Sequence, residues 1–185
     1  MTLDNDPLYQ KWLAQRIQRS RASSARRAAR NAALKPKIGS WDDAQFFNAI
    51  QSKMSTNYTW NKNHPILPPR KFVVDIAGHR TNKSASFDLV LIELERKRGV
   101  GSIYNVIKAW EYAIKNKQKS IHIIQIFSPA YGQGMWKTRM QQIQFVGNQV
   151  QAMHNNFKYT IVDPTNWPSS VSSFGSLISI IVKII

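Results

Sequence analysis

The chain carries 26 lysines and arginines against ten acids, and four of those acids fall between positions 75 and 95. Two of them, Glu93 and Glu95, close the run Phe87-Asp-Leu-Val-Leu-Ile-Glu-Leu-Glu-Arg-Lys-Arg98, which begins as a series of strand formers. Side chains alternate along a strand, so these two carboxylates share a face. Asp75 comes late in the preceding strand-like run, Lys71–Ala77. Paired strands lie about 4.8 Å apart, and in a suitable register Asp75 approaches Glu93. Two carboxylates at that separation repel one another unless a cation bridges them. Mg²⁺ binds in this manner, through one or two carboxylates, water and a substrate phosphate, and Mn²⁺ is the alternative ion. Such an ion acidifies a bound water and offsets charge on a phosphate under attack. The chemistry indicated is metal-assisted hydrolysis of a phosphate ester.

Asp88 is the competing acid. It precedes Glu93 by five residues, an odd number, so a regular strand turns it to the opposite face, while a bulge would reverse that. Asp75 and Asp88 therefore stand as alternative ligands beside Glu93. The plain alternative is structural, a hairpin whose acids pair with Arg70, Arg80, Arg96 and Lys97. Surface ion pairs contribute little to stability, which makes them a poor reason to concentrate scarce acids here.

The elements that must position these residues follow from patterning. Pro36 and Gly39 end an N-terminal arm, and Ser40-Trp-Asp-Asp43 reads as a capping box opening a helix to about Met54. Residues 55–69, rich in Asn, Thr and Pro, read as a loop. Lys71–Ala77 and Phe87–Arg96 read as a hairpin. Ile103–Lys117 repeats its apolar residues at helical spacing, Ser120–Ser128 is a doubly buried strand, Met135–Asn155 is a long helix and Tyr159–Val162 a strand. Gly147 in the long helix permits close packing. The apolar tail Leu177–Ile185, interrupted by Lys183, is too short to span a bilayer and reads as a packed edge strand. The expected class is α/β with a mixed sheet flanked by helices, organised as an arm over 1–38 and a domain over 39–185.

Val74-Asp75 in one strand, then Ile92-Glu93-Leu94-Glu95 in the next, resembles the core motif of the PD-(D/E)XK nuclease superfamily, the restriction-endonuclease-like fold. The surrounding order of helix, hairpin, helix and strand is similar as well, and the likeness covers roughly residues 40–163. It implies a Mg²⁺-dependent endonuclease of restriction or homing type acting on double-stranded DNA. Asp75 and Glu93 would then be metal ligands, with Glu95 holding a second ion or positioning water. The chain departs from the motif at Glu95, where the family usually has lysine. Some restriction enzymes are similar in carrying glutamate there. The lysine's role then falls to Lys108 on the next helix or to Lys97, with Lys108 ahead. Tyr104 and Asn105 at the start of that helix are expected to face the site, and Trp110 to pack in the core. Asp42 and Asp43 are expected to serve as helix-start residues. A nuclease fold with a degraded site, kept as a DNA-binding or structural subunit, is the alternative reading.

The net charge of +16 and pI near 10.4 call for a polyanionic partner. Residues 8–37 hold nine cations and no acid, and Arg16, Arg19, Arg26, Arg27 and Arg30, with Arg96, Lys97 and Arg98, are the candidate phosphate contacts. A homodimer would let a small nuclease cut both strands. The chain has no cysteine, which excludes disulfides and thiolate zinc sites and fits a reducing compartment. The start MTLDNDP carries acids where a secretory signal needs cations, so a cytoplasmic protein with no membrane partner is expected. A mitochondrial presequence has a composition like that of the arm, and the acidic start argues against one.

Overall fold

The structure, a computed structural model, describes residues 15, 18–26, 41–67, 72–96 and 101–185. Two compact units are present, Met1–Lys37 and Ile38–Ile185. Within the first, residues 18–26 are helical and their side chains exposed, Arg19 and Arg26 among them.

The second unit runs α1 (Asp43–Met54), β1 (Tyr58–Leu67), β2 (Phe72–Arg80), β3 (Leu89–Glu95), α2 (Gly101–Lys115), β4 (Ile121–Phe127), α3 (Gly134–Met153), β5 (Phe157–Val162) and α4 (Phe174–Ile184). The five strands form one sheet in sequence order. β1, β2 and β3 are an antiparallel meander. β4 and β5 add parallel to β3, each reached through a helix. Parallel neighbours need such crossovers, and the crossovers cover the sheet. β3 and β4 are consequently buried along their whole length.

Parity divides β3 between two cores. Val90, Ile92 and Leu94 pack toward α1 and α4. Leu89 and Leu91 pack toward α2 and α3. Glu93 and Glu95 continue the second series, so the sequence places carboxylates where that face would otherwise hold apolar side chains.

Three expectations are corrected. Residues 58–67 are a strand, not part of a loop. Tyr58 and Trp60 are buried with exposed Thr59 between them. Pro65 is tolerated because β1 is at the sheet edge. The tail is a helix, not an edge strand. Phe174, Leu177, Ile178 and Ile181 repeat at three and four residues and are all buried, a helical period that outweighs the strand preference of Ile and Val. The cap of α1 is Asp42, which accepts from the Gln45 amide while the Gln45 side chain accepts from the Asp42 amide. It replaces the expected box of Ser40 and Asp43.

Among the described residues no helix is long and apolar enough to cross a membrane.

Candidate active site

The β2–β3 ladder runs from His79↔Leu89 to Ile76↔Ile92. One step further Asp75 comes opposite Glu93. There the Asp75 carboxylate takes over from the backbone, its Oδ2 accepting from the Leu94 amide at 2.7 Å. The side chain thus caps the ladder where β2 parts from β3 and continues against β1 alone.

The Asp75 and Glu93 carboxyls are near enough that each shifts the other. Only a shared proton or a cation makes that approach favourable. Burial raises the Asp75 carboxyl above its ordinary range, opposed by the Leu94 amide. Glu93 is raised well above its range, by burial first and then by the charges of Asp75 and Glu95. Its Oε1 is buried with no hydrogen-bond partner, which is an unmet demand in a low-dielectric setting. A hard divalent cation fits this donor set: two neighbouring carboxyls, with one buried oxygen unused. Among the described residues no group of three or more His, Asp or Glu side chains is gathered around one point.

Glu95 has a different environment. Its Oε2 accepts from the Ser102 hydroxyl at 2.6 Å, and its Oε1 accepts from Asn105 Nδ2 at 3.1 Å and Gln125 Nε2 at 2.8 Å. Gln125 is itself held, donating to the Ser102 carbonyl at 2.8 Å and accepting from the Tyr159 hydroxyl at 2.7 Å. Tyr131 adds a hydroxyl contact with Ser102 at 3.0 Å. Burial raises the Glu95 carboxyl, and these donors oppose the shift. α2 supplies two of the three donors from its first two turns, so the N-terminal end of that helix is tied to the end of β3.

Lys108, one turn further along α2, is half-buried, with its Nζ 5.5 Å from the Phe72 ring centre. Its charge counters the rise in Glu93. Asn105 faces the cluster, whereas Tyr104 is 54% exposed. Trp110 is half-buried and donates its indole N–H to His154 at 2.7 Å.

Asp88 lies at the other end of β3. It accepts from the Ser120 amide and hydroxyl and pairs with Arg80 at 2.6 Å, and those bonds lower its carboxyl. It clamps the hairpin to the start of β4 and takes no part in the Asp75–Glu93 pair. Arg96 is turned to the opposite core. Its guanidinium lies 4.0 Å from the Trp41 ring centre, pairs with Asp43 at 2.5 Å and donates to the Trp41 carbonyl. That guanidinium is committed within the fold, not spread on the surface among the phosphate contacts expected of it. Asp43 is its partner, and Asp42 is the helix cap. Arg16, Arg27, Arg30, Lys97 and Arg98 lie outside the described residues, as does Arg70.

Sequence patterning missed Ser102, Gln125 and Tyr159 as the supports of Glu95. The signal for Gln125 was present: with His122 it is one of two polar residues in the run Ile121–Phe127. No protein-family model, curated protein or solved structure matches the chain.

Proposed function

We propose that the chain is a metal-dependent DNA endonuclease on a restriction-endonuclease-like core. The observation that carries this is the neighbouring Asp75–Glu93 pair, with Glu93 Oε1 buried and unpartnered and with Lys108 on the adjoining helix α2 acting on Glu93. Asp75 and Glu93 would hold Mg²⁺ or Mn²⁺, which supplies charge neutralisation at the scissile phosphate and a more acidic water. The chain's own residues do the rest. Leu94 fixes Asp75 through its amide. Glu95, held by Ser102, Asn105 and Gln125, keeps a carboxylate oriented beside the pair without being free to swing. Lys108 offers an ammonium to the developing phosphate charge, the part a motif lysine would take at position 95. Net charge of +16 favours a nucleic-acid substrate over a small phosphate ester.

The second reading is a nuclease fold retained for binding. It is favoured by the fact that all three donors around Glu95 are already engaged with it, which gives this residue an architectural role whether or not catalysis survives.

Supercoiled plasmid with Mg²⁺ or Mn²⁺ separates the two. The enzyme reading predicts nicked or linear product from the wild type and a loss of about 10²-fold or more in Asp75→Ala and Glu93→Ala, with DNA binding retained. Intact plasmid in every case, with DNA bound, leaves the binding subunit.

A further inference from the structure

The β1–β2 hairpin carries a second cluster that the phosphate-ester chemistry does not use. His64 on β1 and His79 on β2 bring their Nε2 atoms to 3.1 Å, with ring centres 4.8 Å apart and planes at 79°. They are not cross-strand partners: the ladder pairs His79 with Thr59 and His64 with Val74. Asn63, immediately before His64, takes a left-handed φ of 49°, a conformation asparagine tolerates better than most residues.

We propose that His64 and His79 form a binding site for a divalent transition-metal ion of the kind imidazole favours, such as Zn²⁺, Ni²⁺ or Cu²⁺. Imidazole nitrogens sit about 2.0–2.1 Å from such an ion, which puts two of them about 2.9 Å apart in square-planar and about 3.3 Å apart in tetrahedral geometry. The observed 3.1 Å falls between those values, so both nitrogens reach one ion with only a small movement of either ring. In the absence of metal the same distance is an N–H···N hydrogen bond, with one ring donating. On metal binding that ring turns its proton to Nδ1, and both Nε2 lone pairs face the ion. Burial lowers the His79 imidazole below its ordinary range, with the charges of His64 and Lys119 adding to it, which keeps this ring in the neutral, ligating form. Among the described residues no Asp, Glu or further His completes the set, so water fills the remaining positions and the site discriminates against Mg²⁺, which demands oxygen ligands. The other two histidines are engaged elsewhere. His154 accepts from Trp110, and His122 is wholly buried against Thr160. A bound ion would tie the edge strand β1 to the strand that bears Asp75.

The test is calorimetric titration of the tag-free, chelator-treated full chain with ZnCl₂ at pH 7.5. One Zn²⁺ per chain at the histidine pair is expected, weakened roughly tenfold or more in His64→Asn and in His79→Asn, while combining Asp75→Asn and Glu93→Gln removes only the Zn²⁺ that the carboxylate pair itself takes up. That last arm separates this site from the carboxylate pair. Histidine ring-proton spectra of the wild type with added Ni²⁺ should move two of the four histidines, which decides the matter even if a variant fails to fold. The proposal is overturned if His64→Asn titrates as wild type does, if the carboxylate variant alone abolishes binding, or if the His64 and His79 ring signals stay in place.

Discussion

Glu93 is the residue with the most to lose from ionising. Burial, then the charges of Asp75 and Glu95, keep its carboxyl protonated well above the ordinary value of 4.5. The folded chain therefore retains a proton that the unfolded chain has released, and stability falls as pH rises from that value through the folded one. Glu93→Gln keeps the shape and removes the ionisation. It should melt close to wild type near pH 5 and increasingly above it from pH 7 to 9, by on the order of 1–3 kcal/mol at the alkaline end. Melting curves across that range test this, and parallel pH profiles for the two proteins would contradict it. The pairing of Glu93 with Asp75 was legible from alternation and strand spacing alone. The support of Glu95 was not, because Ser102, Gln125 and Tyr159 lie on three different elements that only the fold brings together.

At the scale of elements, α3 approaches β5 so closely that a Cβ on Gly147 would lie 2.2 Å from the Tyr159 ring. That ring cannot retreat without breaking its hydroxyl bond to Gln125, and through Gln125 the hold on Glu95. Gly147→Ala should cost about 1–3 kcal/mol in urea unfolding. Wild-type stability in the variant would mean that the ring yields freely and that the path from α3 to Glu95 is slack. The glycine's packing role was readable from its place on the buried stripe of a helix. β1 and α4 were misread for opposite reasons. In β1 the turn-forming residues Asn61, Asn63 and Pro65 masked an edge strand whose burial alternates only at its start, Tyr58 and Trp60 buried about exposed Thr59. In α4 the strand preference of Ile and Val masked a helical period of burial. There the period of the buried positions was the better guide than residue preference.

For the molecule as a whole, the proposed DNA partner rests on charge. Nine cations without an acid between residues 8 and 37 offer many phosphate contacts. Each neutralised phosphate contributes about 0.9 to the slope of log affinity against log salt on duplex DNA. Replacing Arg19, Arg26, Arg27 and Arg30 together by Gln in the full chain should reduce that slope by about 2–4 and weaken binding to unrelated sequences alike. An unchanged slope in a fluorescence-anisotropy salt series would remove the arm from the interface. In the proposed function the Asp75–Glu93 pair is where a cation and the nucleic acid would meet. Whether the pair takes a divalent ion is tested most directly by Mn²⁺ titration of the wild type and Glu93→Gln at pH 7.5, with free Mn²⁺ followed by its electron paramagnetic resonance signal. One Mn²⁺ per wild-type chain, bound about tenfold or more weakly by Glu93→Gln, is the predicted result. Equal binding by the two proteins, or none by the wild type, would contradict it.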